Sequence, residues 1–405
     1  MLLILAWRNL WRNKRRTLIT VSSVLFAVLL ASGLLSFAGG FQQQLRESMI
    51  RQETGYLQIQ DVDYMDEPSL DHSFLLDDEL KEVLAFFGEE MAYYVPRIRG
   101  FALAARDMSS RPVMVSGIVP EQEDRLRRLS GDVTAGKMFG AGDRHAVVAS
   151  GLAQLLDLEM GDSIALIGQG FQGVTAAGMY PVEGIIEFIL PETNNTMVFL
   201  PLEQAQHFFA AEGRLTNLII MVEDERVIQP LARKMAERLD NEWLRVRTWD
   251  ELMPDILGLI SMQNTVYTGI TWVFYLIVGF GIFGTMLMMV YERMHEYGIL
   301  LSLGMKRRQL ALVSMAETIF IGLLGALAGI VASFPLVLIF HHHPLRFKGE
   351  MANYIMDFGM EPVFPFLMDP AIFVQQAVNI FVITLVIGLY MVRKVFALDI
   401  QEAVR

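Results

Sequence analysis

Three groupings of residues have types and spacings that chemistry could use. Gly131-Asp-Val-Thr-Ala-Gly-Lys137-Met138 follows the phosphate-binding loop pattern up to its last position. There a hydroxyl should hold Mg²⁺, and Met138 has none, so the match fails on its chemistry. His341, His342 and His343 are imidazole ligands by type, but three consecutive residues on a regular element cannot converge on one ion, and the nearest carboxylate in sequence is Glu350. A solvated loop at headgroup level explains them more simply. Glu317 is a lone acid in a long apolar stretch; carboxylates so placed face a bundle interior or a cavity, unless this one simply lies near the interface. No Ser/His/Asp triad, HExxH motif or paired-carboxylate signature is present. The 405 residues include no cysteine, which removes disulfides, thiolate metal sites and a cysteine nucleophile. The residues offer nothing on which an enzyme could be built.

The elements that carry these residues are largely membranous. Hydrophobic residues make up 53% of the chain and charged residues 19%, and the mean hydropathy is +0.39, too apolar for a soluble two-domain protein. Four stretches are long enough to cross a bilayer. Residues 17–45, 256–291 and 370–392 carry no charge, and 309–345 carries only Glu317. Residues 41–264 hold 19 basic and 36 acidic side chains, a net of −17, although the whole chain is only −12. The basic residues outside that stretch sit beside the spans, as Arg8, Arg12, Lys14, Arg15 and Arg16, then Arg293, Lys306, Arg307 and Arg308, then Arg393 and Lys394. The positive-inside rule makes those places cytoplasmic. It also puts a large acidic domain outside and both termini inside, and the acidic balance argues against a nucleic-acid partner.

The expected organisation is a cytoplasmic amphipathic elbow at 1–16, span 1 at 17–40, an external α+β domain at 41–264 and span 2 at 265–290. An inner loop at 291–308, span 3 at 309–340, an outer loop at 341–369, span 4 at 370–392 and a tail at 393–405 complete it. The fold class is thus an α-helical membrane protein with four transmembrane helices (1+3) and an α+β domain inserted between the first two. A cleaved leader is the competing reading of the N-terminus. The apolar run exceeds a leader's length, and Ala6, Trp7, Leu10 and Trp11 interleaved with basic residues suit an anchor lying along the inner surface.

Within the external domain, strand-like runs are expected at 56–60, 113–119, 146–149, 163–167, 180–188, 197–200 and 217–222, and helices at 77–87, 203–211 and 227–243, in two subdomains. Residues 168–181 join two strands with glycines and no charge; Phe171, Gln172, Val174, Met179 and Tyr180 are candidates for a partner contact there, against a plain flexible hairpin. Gly279, Gly281 and Gly284, then Gly322, Gly325 and Gly329, recur at helical spacing, which suits close helix packing within or between chains.

The inner loop reads Tyr291-Glu-Arg-Met-His-Glu-Tyr-Gly-Ile-Leu-Leu-Ser-Leu-Gly-Met-Lys-Arg-Arg-Gln-Leu310. Its residues suit a surface helix from about 292 to 303, with Glu292 and Glu296 near the positive end of its dipole and Gly304 to stop it. This loop resembles the inner loop of ABC-exporter permeases of the FtsX/MacB superfamily. Leu301 and Ser302 stand where that family usually has a basic residue and Ala. Trp7-Arg-Asn-Leu-Trp-Arg-Asn-Lys-Arg-Arg-Thr17 resembles the family's elbow, and Val147 to Asp162 its external strand, helix and Gly-Asp turn. Length and layout are most similar to the lipoprotein-releasing LolC/LolE type.

The resemblance implies a permease subunit, not itself an enzyme, that works by mechanotransmission in the inner membrane of a Gram-negative bacterium, with its large domain periplasmic. ATP and Mg²⁺ would be bound by a partner ABC ATPase in two copies, and no cofactor by this chain. A second permease, identical or homologous, membrane lipid, a lipoprotein substrate and a periplasmic chaperone complete the implied partners. Glu292, Arg293, Glu296, Gly298, Ile299, Leu303 and Gly304 would couple to the ATPase. Acyl chains would enter between spans 1 and 2, near Leu34, Phe37, Phe41, Val266, Tyr267 and Ile270, assigned by depth and type. Residues 168–181 lie where a chaperone-binding hook would be, without its tip proline. A MacB-like exporter of peptides or small molecules, and an FtsX-like regulator of cell-wall hydrolases, are the alternative functions.

Overall fold

The computed structural model describes residues 2–140, 142–188, 191–356 and 362–396; the expected tail beyond 396 and part of the outer loop lie outside them. Two compact units result. One comprises Met1–Gln44, Gly258–Phe347 and Val363–Arg405, the other Leu45–Leu257 and Lys348–Pro362.

The first unit contains four helices long and apolar enough to cross a membrane, Lys14–Met49, Pro254–Glu292, Arg307–His342 and Pro370–Phe396, one preceding the α+β domain and three following it. Two of them overrun the expected bounds, since the first continues past residue 40 and the second begins before 265. The outer loop expected at 341–369 is also divided, its Lys348–Pro362 portion grouping with the α+β domain. Gly39 and Gly40 lie within the first of these helices and serve close packing. A Cβ on Gly40 would strike the Pro365 carbonyl. The Ser36 hydroxyl donates to the Leu367 carbonyl at 2.5 Å and the Leu367 amide donates to the Ser36 carbonyl at 2.9 Å. The glycines of span 3 are likewise internal. Gly325 and Gly329 face Val24 and Val28 of span 1, and Gly322 faces Thr384 of span 4, whereas Gly281 and Gly284 meet nothing within 4 Å among the described residues. Small residues thus let span 3 sit at the centre of the bundle.

The α+β domain is built on a ten-stranded sheet. Its strands are β1 (Leu57–Asp61), β2 (Tyr93–Arg106), β3 (Ser109–Ile118), β4 (Val133–Gly136), β5 (Ala146–Ala149), β6 (Ser163–Gln169), β7 (Thr175–Ile186), β8 (Met197–Pro201), β9 (Asn217–Met221) and β10 (Leu244–Thr248). The order is β10-β1-β9-β2-β3-β8-β5-β7-β4, with β6 pairing β2 and β7. Two hydrophobic cores flank it. One holds Val115, Val148, Leu152, Leu166 and Phe199, and the other Leu57, Leu84, Ile220, Leu231 and Met235. The two expected subdomains are therefore two cores sharing one sheet. They are joined by β2, whose first half pairs with β9 and second half with β3 and β6.

β2, β4 and β10 were absent from the sequence expectations; in β2 and β10 charges, and in β2 a proline, interrupt the apolar pattern. In β2 the charge is internal. Arg97 is 1% exposed and Glu123 is fully buried. Arg97 donates to Glu123 through Nε at 3.0 Å and Nη2 at 2.5 Å, Arg97 Nη1 donates to the Glu53 carbonyl at 3.2 Å, and Arg99 Nη1 donates to Glu53 Oε2 at 2.9 Å. Arg127 Nε stands 2.8 Å from Glu123. Burial by itself would raise the Glu123 carboxyl, but the three arginines overcome it and hold it down to about 2. Burial lowers Arg97 to about 10, which leaves it charged at neutral pH.

Two outcomes follow. In thermal melts of the detergent-solubilised chain, Gly325→Leu and Gly329→Leu should each cost about 1–3 kcal/mol through overpacking, whereas Gly284→Leu should be neutral. In acid titration followed by circular dichroism, the Glu123 contribution should be intact above about pH 4.5, the ordinary carboxyl value, and lost as pH falls toward about 2. Glu123→Gln should flatten that slope.

Candidate functional site

At the inner end of the bundle, the elbow helix Leu2–Arg12, the inner-loop helix Met294–Ser302 and the first turns of span 3 meet. The elbow breaks at Asn13 before span 1 begins. That joint is stiffened by the Thr17 hydroxyl, which donates to the Leu10 carbonyl at 2.9 Å, and by the Arg16 and Thr17 amides, which both donate to the Asn13 carbonyl at 3.2 Å. Ala6 and Leu10 are buried, and the Trp7 ring stands edge-on to Phe320.

At the centre is a buried ion pair. Glu317 is 1% and Arg293 4% exposed. Arg293 Nη1 donates to Glu317 Oε1 at 3.0 Å and Oε2 at 3.3 Å, Arg293 Nη2 donates to the Asn9 carbonyl at 3.0 Å, and Asn9 Nδ2 donates to Glu317 Oε1 at 2.7 Å. Glu317 thus faces the bundle interior, the first of its two sequence readings. Its neighbour Tyr297 is also buried, and burial raises its phenol above the ordinary value. Around this core lie exposed pairs, Arg12–Glu296 at 2.5 Å and Arg16–Glu292. Glu296 draws the Arg12 guanidinium above its ordinary value through their hydrogen bond.

The coupling candidates therefore divide. Ile299 and Leu303 are 44% and 79% exposed, and Glu296 is exposed beside them. Gly304 adopts φ +95° and ends the helix as expected. Arg293 and Gly298 are buried, so neither can face a partner; the charge of Arg293 is committed to Glu317. Glu292 is the last residue of span 2 and not part of the inner-loop helix's first turn. Asn9 was missed. Its signal was an amide on the buried stripe formed by Ala6, Leu10 and Thr17.

The remaining candidates are placed differently from expectation. Phe37 packs against Phe41, Phe364 and Phe366; Leu34 and Tyr267 are half-buried, and Val266 and Ile270 are exposed. An open apolar groove of about 680 Å³ lies between spans 2 and 4, lined by the exposed Trp272, Leu276, Phe280, Val382 and Val386. Beside it the Tyr275 hydroxyl donates to Gln376 Oε1, and Asn379 Nδ2 donates to the Tyr275 oxygen at 3.0 Å. In the 168–181 segment, Phe171 and Tyr180 turn inward against the first domain core. The Phe171 amide donates to the Phe209 carbonyl at 2.8 Å, the Gln172 amide donates to Asp71 at 2.7 Å, and Arg214 stacks 4.1 Å over the Phe171 ring. The turn is pinned to the domain, which corrects the reading of Phe171 and Tyr180 as contact residues; Gln172, Val174 and Met179 stay exposed.

Residues 133–136 of the failed phosphate loop form β4 and lead into no helix. His341 Nδ1 is 2.7 Å from the Phe366 carbonyl, and His342 meets it edge-on. Among the described residues two other groups have metal-ligand types, Asp61 with Asp63 and His72, and Asp143 with His145 and Glu183. Each already contains an internal pairing, His72 with Asp61 at 3.2 Å and His145 with Glu183 at 3.4 Å, and Lys137 from outside the second group also pairs with Glu183 at 3.0 Å.

Comparison with known proteins defines the class. Residues 17–238 match the MacB-like periplasmic core domain and residues 268–400 the FtsX-like permease C-terminal family. The chain belongs to this family of ABC transporter permeases. Among its relatives is the lipoprotein-releasing system transmembrane protein LolC of Neisseria meningitidis, 22% identical over 78% of this chain and 75% of that one. LolC of Xylella fastidiosa is 24% identical over 79% and 78%. An uncharacterised ABC transporter permease of Methanocaldococcus jannaschii is 22% identical over 80% and 81%. The extracellular domain of the transporter YknZ from Gram-positive bacteria aligns with a TM-score of 0.35 and 15% identity, over 47% of this chain and 99% of that one.

Truncating Glu317 to Ala strands the buried Arg293 charge and should cost about 3–5 kcal/mol. Removing exposed Arg12 should cost at most about 1 kcal/mol. Thermal unfolding in detergent measures both.

Proposed function

We propose that this permease extracts lipoproteins from an inner membrane, driven by a separate ABC ATPase, and hands them to a periplasmic chaperone. The carrying observation is the exposed Ile299–Leu303 end of the inner-loop helix, anchored from behind by a buried ion pair. An apolar tip on a rigid mount suits docking into a cleft of a soluble protein. Similarity to LolC proteins over 78% and 79% of this chain supports the choice of substrate class.

In this reading ATP and Mg²⁺ belong to two ATPase copies, and this chain binds no cofactor. A second permease, identical or homologous, completes the assembly. The α+β domain then lies in the periplasm of a Gram-negative cell, with both termini in the cytoplasm. The basic residues flanking the spans favour that orientation. Acyl chains reach the complex laterally from lipid, near the outer ends of spans 1 and 2, with Val266 and Ile270 exposed to receive them. Gln172, Val174 and Met179, exposed on the domain, are the candidates in the 168–181 segment left to meet a chaperone.

Purification of the tagged chain in mild detergent, followed by mass spectrometry, should yield an ATPase together with acylated lipoproteins. Leu303→Asp should reduce ATPase recovery about tenfold, the equivalent of 1.4 kcal/mol. Recovery of an outer-membrane channel and adaptor would favour a MacB-like exporter, and a cell-wall hydrolase would favour an FtsX-like regulator. Correct lipoprotein sorting after depletion of this chain would overturn the proposal.

A further inference from the structure

The inner-loop helix is covalently continuous with spans 2 and 3, so a push on it reaches those helices directly. Span 1 has no such connection. It is joined to them through the elbow and its own first turn, with Arg293 of the inner loop donating to the Asn9 carbonyl, Asn9 donating to Glu317 of span 3, Arg12 pairing with Glu296 of the inner-loop helix and Arg16 with Glu292 at the end of span 2. The Thr20 hydroxyl adds a bond to Thr285 of span 2 at 2.9 Å. Exposed ion pairs taken singly hold little. Here they flank a buried pair in which Asn9 participates twice, accepting from Arg293 through its carbonyl and donating to Glu317 through its amide. Pulling the elbow away would leave buried polar groups on both sides without partners. Its joint to span 1 is held by the Thr17 hydroxyl and the Asn13 carbonyl.

We infer that the elbow is a second arm of the coupling element, locked by Asn9, Arg293 and Glu317 so that span 1 moves with the inner-loop helix as one lever when the ATPase closes. Asn9 and Glu317 are positioning residues in this scheme and touch neither nucleotide nor cargo. The alternative is an elbow that stays with the membrane surface while the inner-loop helix slides past it.

The inference rests on the ATPase-driven reading but not on the identity of the cargo. The natural absence of cysteine allows a direct test in the full complex. Spin labels at Leu18→Cys near the start of span 1 and His295→Cys on the inner-loop helix, both exposed positions, report their separation with and without ATP and vanadate, with unlabelled chain added to suppress distances between copies. The expected change is no more than about 2 Å, the scale of side-chain and small helix adjustments. In Asn9→Leu with Glu317→Gln, the same treatment should shift or broaden the distance while ATP turnover stays within about twofold, a 0.4 kcal/mol effect. A shift of about 5 Å, one helical turn, in the otherwise native, ATP-hydrolysing complex overturns the lever alone. A chain that never binds an ATPase overturns the reading beneath it.

Discussion

The inner end of the bundle depends on a carboxylate and a guanidinium placed where neither is stable alone. Glu317 and Arg293 are almost completely removed from solvent, and an isolated charge there would cost several kcal/mol. Each must therefore keep the other, and Asn9 fills the bonding capacity that remains. Such a pair is weak evidence for stability; what it does here is fasten the elbow, the inner loop and span 3 to one another at a single point. The surrounding architecture follows from this constraint. The elbow lies across the bundle with Ala6 and Leu10 inward, the inner-loop helix presents its apolar end outward, and Gly304 closes it.

The α+β domain solves a related problem. Its longest strand, β2, carries arginines through the middle of a sheet that two hydrophobic cores cover. Arg97 is tolerated because Glu123 approaches with both carboxylate oxygens and the Glu53 carbonyl takes a further donor. Arg97 and Arg99 also tie β2, through Glu53, to the π-helical turn Ile50–Thr54 that follows the helix of span 1. In both units buried charge marks the place where separate segments of chain must meet in one geometry.

Much of this was legible from local pattern. Four uncharged or nearly uncharged stretches announced four helices, because an apolar run of that length has few other stable conformations. The alternation at 146–149, 163–167 and 197–200 announced strands that are present at nearly those bounds. β2 was not legible, since Pro96, Arg97, Arg99 and Gly100 read as a surface segment until Glu123, distant in sequence, supplies a partner. The inward turn of Phe171 and Tyr180 was equally hidden, because an uncharged glycine-rich stretch has the same composition whether it projects or is pinned by Asp71 and Phe209.

By itself the sequence determined that this protein is membranous, that its large domain is acidic and α+β, and that its inner loop has the residues of a permease. Hydropathy, charge asymmetry and short motifs are local quantities, and they survive without knowledge of contacts. Tertiary structure alone decided which polar residues are interior. Arg293 belongs to a motif that looks solvent-facing, Glu317 was ambiguous, and Asn9 passed unnoticed. Their roles come from contacts between residues as far as 308 positions apart. Whether a charge is exposed to a partner or buried as a fastener is set by what folds against it, and no local pattern carries that information.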